Sequence, residues 1–121
     1  MYKLKAPLAR AEVLTLAYVG EFRFPNQYLG FITGGDISPD GRRVIICDYF
    51  AACELTLPEK KGIVFDEIWK QRPLRIEIGD YHGVRRQGEA ICYRADGHAL
   101  LATSEGFPCP LIELTRRNKA R

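Results

Sequence analysis

The residues of this sequence that could bind a ligand lie in two predicted loops. Asp48-Tyr49-Phe50 follows an apolar strand and could form part of a binding rim, although turn packing explains it equally well. His82 stands two residues after Asp80, and its imidazole could pair with that carboxylate or bind a metal. The surrounding Gly-rich loop predicts instead a solvent-facing histidine. Asp48, Tyr49 and His82 are therefore the candidate ligand-binding residues.

Complete catalytic motifs do not occur in the sequence. Ser38 and Ser104 are its two serines, and neither lies in the Gly-x-Ser-x-Gly elbow of a serine hydrolase. The sequence also lacks the glycine-rich phosphate-binding loops of nucleotide-binding proteins. We therefore name no catalytic residue, and the sequence favours a protein that is not an enzyme.

The four cysteines form no CxxC pair, and their spacings match no familiar zinc site. Cys47 and Cys53 could face each other across a hairpin, which would allow a disulfide. Cys47 and Cys92, however, lie in apolar strand-like stretches, where a free thiol behaves as a small hydrophobic group. We expect buried, reduced thiols.

The composition is that of a globular domain of 121 residues, with 46% hydrophobic and 27% charged residues. A net charge of +3 is far from the clustered excess of a dedicated nucleic-acid binder, and the basic residues 116–121 predict a solvated tail. No apolar run approaches the roughly 20 residues of a membrane span. We recognise no export signal, so we expect a cytoplasmic protein without a membrane or nucleic-acid partner.

Alternating and β-branched segments predict strands along most of the chain. The predicted strands are 13–24, 31–37, 43–48, 52–57, 74–78, 87–93, 98–104 and 110–115. Segment 63–71 predicts a short amphipathic helix, because Val64 with Ile68 and Phe65 with Trp69 are i,i+4 apolar pairs. The pattern therefore predicts an all-β fold with one short helical insertion.

The chain repeats itself around two Asp-Gly turns that end at Gly41 and Gly97, 56 positions apart. The helical insertion accounts for the excess of this period over the ~40–50 residues of a usual propeller blade. Units 31–78 and 87–115 predict two four-stranded antiparallel blades of a β-propeller within a single unit. The second unit lacks a fourth strand, which the N-terminal strand 13–24 could supply. A small antiparallel β-sandwich is the alternative.

Two motifs in these units resemble known propeller repeats. Ser38-Pro39-Asp40-Gly41 before an apolar strand is similar to the turn found in many bacterial propellers. Three segments of the second unit resemble a blade of the phytase-like and esterase-like propellers, which include secreted proteins. They are Gly88-Glu89-Ala90, the Asp96-Gly97 turn and Ser104-Glu105-Gly106. The resemblance covers residues 31–115, about two blades of pattern.

The resemblance implies a calcium site and, with it, an alternative function. In phytase-like propellers, blade glutamates point into a central channel where carboxylates bind Ca²⁺, an ion that prefers oxygen ligands. Glu89 and Glu105 are the matching residues by position. Two carboxylates are too few for a calcium cage, so we expect a non-catalytic scaffold or ligand-binding module without a cofactor. A calcium-dependent phytase-like or lactonase-like hydrolase is the alternative.

Two blades cannot close a propeller, which needs about four to eight. Unpaired strand edges and open sheet faces promote association, so we expect a homo-oligomer. A trimer with six blades is the first expectation, and a tetramer with eight is the second. Such a ring would bring copies of Glu89 and Glu105 around one axis. The chain is alternatively a shortened form of a longer propeller.

Overall fold

The computed structural model describes residues 1–4, 13–25, 31–78 and 87–116, and this part of the chain is all-β. Its strands are β1 (Tyr2–Lys3), β2 (Ala17–Tyr18), β3 (Gly34–Ile37), β4 (Arg43–Cys47), β5 (Ala51–Thr56), β6 (Leu74–Glu77), β7 (Gly88–Tyr93), β8 (Ala99–Ser104) and β9 (Ile112–Thr115). One 3₁₀ helix spans Phe65–Lys70. None of the described helical structure is long and apolar enough to cross a membrane.

The first large sheet is antiparallel, with strand order β3-β4-β5-β6. Ile45 of β4 pairs with Asp36 of β3 and with Glu54 of β5, and Glu54 pairs in turn with Leu74 of β6. Paired residues of an antiparallel sheet project to the same face, so these four side chains form one row. The row faces the second large sheet.

Both faces of the first sheet are covered, which explains the continuous apolar run of β4. One face packs on the second sheet through Ile45, Cys47 and Ala52. The opposite face carries Val44, Ile46, Cys53 and Leu55, and it is covered by Ile68 of the 3₁₀ helix together with Phe24.

The second large sheet has strand order β7-β8-β9 and contacts the first sheet through β7, which lies against β3 and β4. Polar contacts fix this interface. The Thr33 hydroxyl donates to the Gly88 carbonyl at 2.6 Å, and the Gly88 N–H donates to the Tyr49 carbonyl at 3.0 Å. At the other end of β7, the backbone N–H of Tyr93 donates to Asp36 Oδ2 at 2.9 Å.

The two large sheets diverge away from β3 and β7. The backbones of the two first strands are in close contact, whereas a cavity of about 300 Å³ separates β6 from β9. Leu74 and Ile76 line the cavity from the first sheet, and Leu100 and Leu114 line it from the second. The sheets therefore enclose a wedge that opens toward their last strands.

The two Asp-Gly turns meet at one end of this wedge. Gly41 and Gly97 have positive φ values of 66° and 71°, the left-handed conformation that favours glycine. A Cβ at Gly97 would lie 3.2 Å from Arg43 Nη2 and 3.7 Å from Pro39 Cδ. The second turn therefore packs directly against Pro39 and Arg43 of the first unit.

The strands predicted within 31–78 and 87–115 are confirmed, and their ends differ from the predicted ones by three residues at most. The other two elements differ. Segment 63–71 contains the predicted short helix, which is a six-residue 3₁₀ helix over Phe65–Lys70 rather than an α-helix. Segment 13–24 is a strand over Ala17–Tyr18 alone.

The N-terminal strand also has a different neighbour from the predicted one. Tyr18 pairs with Tyr2 and Ala17 with Lys3, so β2 forms a two-stranded sheet with β1. The second large sheet consists of three strands in the described chain, and β2 is not among them. This pairing corrects the expectation that the N-terminal strand completes the last blade of the same chain. Tyr2 and Tyr18 instead stack edge to face at 5.5 Å.

Candidate functional site

A buried carboxylate lies at the inner end of the wedge. The Glu54 side chain on β5 is only 2% exposed, in the row that faces the second sheet. Its Oε1 accepts a hydrogen bond of 2.9 Å from the Tyr93 hydroxyl, and its Oε2 accepts one from Arg116 Nη2. A buried charge is costly unless it is paired and hydrogen-bonded, and these contacts supply both conditions.

Arg43 connects this carboxylate to the two turns. Its guanidinium lies over the Tyr93 ring at 5.1 Å, and Nη1 is 3.9 Å from Glu54 Oε1. Nη2 donates to the Gly97 carbonyl at 3.1 Å and lies 3.6 Å from Asp40 Oδ2. We call Arg43, Glu54, Tyr93 and Arg116 the Glu54 cluster.

The environment sets the protonation states of neighbouring groups. Burial, followed by the nearby Glu54 charge, raises the pKa of the Tyr93 phenol, which therefore stays a hydrogen-bond donor at neutral pH. The hydrogen bond from Ser38 lowers the pKa of Asp40. The hydrogen bond from Arg94 lowers the pKa of Asp96 to about 2. Both aspartates are charged at neutral pH.

The Glu54 cluster lines the cavity between the sheets, which we call the wedge cavity. A second hollow of about 300 Å³ shares Arg43, Gly97, His98 and Arg116 with it and adds Asp40 and Asp96. We call this second hollow the mouth. An apolar cavity that ends in a few converging polar groups is the usual form of a small-molecule site.

Asp48 and Tyr49 lie in the β4–β5 turn, at the opposite end of β4 from Arg43. Asp48 Oδ1 accepts the backbone N–H groups of Phe50 and Ala51, both at 2.8 Å, and thereby closes the turn. The Tyr49 ring packs against Phe31, with 6.3 Å between centroids. These contacts are those of turn packing. His82 lies outside the described residues.

Glu89 and Glu105 lie at the same end of the second sheet. Glu89 follows Gly88 at a pairing irregularity of β7, and Glu105 follows Ser104, the residue that pairs with Gly88. Glu89 is half-buried and Glu105 is exposed. Among the described residues, no group of three His, Cys, Asp or Glu side chains is placed to hold a metal ion.

Two of the four cysteines differ from the expectation of buried, reduced thiols. Cys47 and Cys53 are buried free thiols as predicted, and they lie on opposite faces of the first sheet, so they cannot form a disulfide with each other. Cys92 and Cys109 are exposed free thiols. The prediction of a buried Cys92 was wrong, because this residue points away from the first sheet and nothing in the described chain covers that face.

The sequence reasoning did not identify the Glu54 cluster. A usable signal was present, since Glu54 interrupts an apolar strand that is buried along most of its length and so requires a partner inside the protein. The cationic partners of Glu54 were not recognisable from the sequence. Arg116 was assigned to a solvated tail, and in the structure its half-exposed side chain reaches back to Glu54.

No protein-family model, no curated protein and no solved structure matches this chain. The resemblance to phytase-like and esterase-like propellers therefore stays a prediction.

Proposed function

We propose that the chain is a non-catalytic, propeller-type module that binds a small ligand in its wedge cavity and works as an assembly of several copies. The wedge arrangement carries this proposal. Blades of a propeller radiate from a central axis, so their first strands are close together and their last strands are apart. In this chain β3 and β7 are in contact, whereas a cavity lies between β6 and β9, and both observations fit that geometry.

The position of the two turns supports the same interpretation. Equivalent turns of two blades related by rotation lie at the same end of the assembly. Gly41 and Gly97 occupy equivalent places in the two units, and Arg43 beside the first turn donates to the carbonyl of the second. A two-sheet sandwich accounts for the face-to-face packing but gives no reason for this equivalence.

The chemistry of the wedge cavity favours binding over catalysis. Glu54 is neutralised by two guanidinium groups and accepts a hydrogen bond from Tyr93. The elevated pKa of Tyr93 makes the phenol a poor proton donor in a reaction at neutral pH. The cluster is suited to hold a ligand in a fixed, polar environment.

The second sheet supports the assembly part of the proposal. Its outer face carries the exposed Cys92 and Glu113, which flank the half-buried Leu101 in one row. The outer face of the first sheet is instead covered by Ile68 and Phe24. Pairing of two open faces would give a dimer, whereas a six-bladed trimer would place the next copy against the 3₁₀ helix.

Native mass spectrometry and light scattering at micromolar concentration test this assembly. We expect an oligomer, and its mass distinguishes the paired-face dimer from the trimeric or tetrameric ring. Leu101→Lys should dissociate the dimer, because it places a charge in the contact, whereas Leu111→Lys is the control at an exposed site outside that row. A monomer at every concentration would overturn the assembly.

The calcium-dependent hydrolase has less support, since no group of three His, Cys, Asp or Glu side chains includes Glu89 or Glu105 among the described residues. A calcium titration followed by calorimetry separates the two functions. The hydrolase requires binding that Glu89→Gln abolishes, and the proposed module requires none.

A further inference from the structure

Two kinds of surface meet in the wedge cavity. The two sheets close an apolar space on two sides. It is lined by Leu74 and Ile76 on one sheet and by Leu100 and Leu114 on the other. The mouth adjoins this space and is lined by charged side chains. A ligand that fills both hollows must therefore combine an apolar body with a charged head.

The charges around the mouth are balanced. The cations that line the mouth are Arg43 and Arg116, and the anions are Asp40 and Asp96. With two charges of each sign in this lining, a head with a large net charge of either sign would leave some of them unfavourably placed. A head that carries one positive and one negative group would find a partner for each.

The side chains that would meet such a head still have capacity for it. Arg116 is 55% exposed, and Glu54 is its one hydrogen-bonding partner in the described part of the chain. A guanidinium has five N–H donors in a planar fork that matches a carboxylate. Asp40 and Asp96 are 51% and 45% exposed, and a carboxylate has about four acceptor sites, so each can accept a further hydrogen bond from an ammonium group.

We propose that the wedge cavity binds a free amino acid with an apolar side chain. The side chain would lie between Leu74 and Leu114, the carboxylate against Arg116, and the ammonium group between Asp40 and Asp96. A volume of about 300 Å³ is at the lower end of ligand pockets, which suits a metabolite of this size. This inference rests on the proposed binding function and adds the ligand class to it.

Isothermal titration calorimetry of the full chain with L-phenylalanine tests the ligand class. Three matched probes each remove one feature: N-acetyl-L-phenylalanine the ammonium, L-phenylalaninamide the carboxylate, and glycine the apolar side chain. We expect L-phenylalanine to bind, and each other probe to bind at least about tenfold more weakly. Equal affinity for the acetylated or amidated probe would overturn the claim that the ligand needs both charged groups. The absence of binding heat with millimolar L-phenylalanine would overturn the ligand class.

Two pairs of variants test the location. Arg116→Gln and Leu74→Ala should each weaken L-phenylalanine binding by about tenfold or more. Arg75→Gln and Leu111→Ala are the matched controls, since both side chains lie outside the wedge cavity and the mouth. Circular dichroism verifies that each variant is folded. Unchanged binding by Arg116→Gln overturns this site, whereas the assembly is judged separately by the solution mass.

Discussion

Tyr93 on β7 donates its hydroxyl proton to Oε1 of Glu54 on β5 at 2.9 Å, across the interface of the two large sheets. The two residues are 39 positions apart in the sequence and belong to different repeat units. The bond joins the units at a buried, charged point, so the cluster around it contributes to stability as well as to the candidate site.

Removal of the Tyr93 hydroxyl should destabilise the protein. We expect Tyr93→Phe to lower the free energy of unfolding by roughly 1.5–3 kcal/mol, because a hydrogen bond to a buried charge is lost. Urea denaturation followed by circular dichroism measures the change. Tyr18→Phe is the control, because this exposed hydroxyl should contribute little. Equal stabilities of the two variants would contradict a role for the bond.

Removal of the Glu54 carboxylate should have a larger effect. Glu54→Ala removes the partner shared by the partly buried Arg43 guanidinium and the Tyr93 hydroxyl, which should cost up to about 3–5 kcal/mol. Glu113→Ala is the matched control, since the exposed pair of Glu113 with Arg94 should contribute about 1 kcal/mol or less. If Glu54→Ala does not fold, Glu54→Gln keeps the shape and should show an intermediate loss in urea. A stability unchanged by Glu54→Gln would argue against a structural role for the charge.

The two glycines at the Asp-Gly turns should respond differently to alanine. Both have positive φ, so each substitution should cost roughly 1–2 kcal/mol of backbone strain. At Gly97 the new Cβ would also lie 3.2 Å from Arg43 Nη2, whereas at Gly41 nothing lies within 4 Å. Thermal unfolding should therefore show a lower Tm for Gly97→Ala than for Gly41→Ala. The reverse order would mean that the second turn is not seated on Arg43.

The thiols should react in two groups. Cys92 and Cys109 are exposed, while Cys47 and Cys53 are buried, and burial raises the pKa of the Cys53 thiol to about 11. Ellman's reagent at neutral pH should modify two thiols rapidly and the other two only after denaturation, because the thiolate is the reactive form. Rapid modification of all four in the native protein would contradict this packing.

Stability should fall at alkaline pH. The Cys53 thiol has a pKa of about 11 in the folded protein against an ordinary value of 9.0, so the unfolded chain releases this proton first. The stabilising effect is complete below pH 9 and is lost as the pH rises toward 11, by up to roughly 2–3 kcal/mol. Urea titrations between pH 8 and 11 measure the slope, and Cys53→Ala should reduce it. An equal slope in that variant would assign the loss to other groups.

The strands of the two units were predictable because their signals are local. The apolar run of β4, the alternation in β6 and the Asp-Gly turns each lie within a few residues, and the structure reproduces all of them. The N-terminal segment was not predictable in the same way. Its alternation continues through 13–24, yet pairing with β1 extends over two residues, because strand length depends on the partner that is available.

The candidate site was less predictable than the fold. Glu89 and Glu105 were chosen from a motif, and Asp48 from its loop position, but the structure uses Asp48 to close a turn. Glu54, by contrast, is buried and accepts hydrogen bonds from Tyr93 and Arg116. A sequence pattern marks it as unusual without revealing which cations neutralise it.

The sequence by itself determined that the described part of this protein is all-β and where most of its strands lie, because side-chain alternation and turn chemistry act between neighbouring residues. Only the tertiary structure decided how the units meet. Glu54 finds Arg116 at a separation of 62 positions, and the wedge cavity exists because one pair of strands is in contact while another is apart. Such contacts depend on the relative placement of whole sheets, and no local spacing encodes that placement.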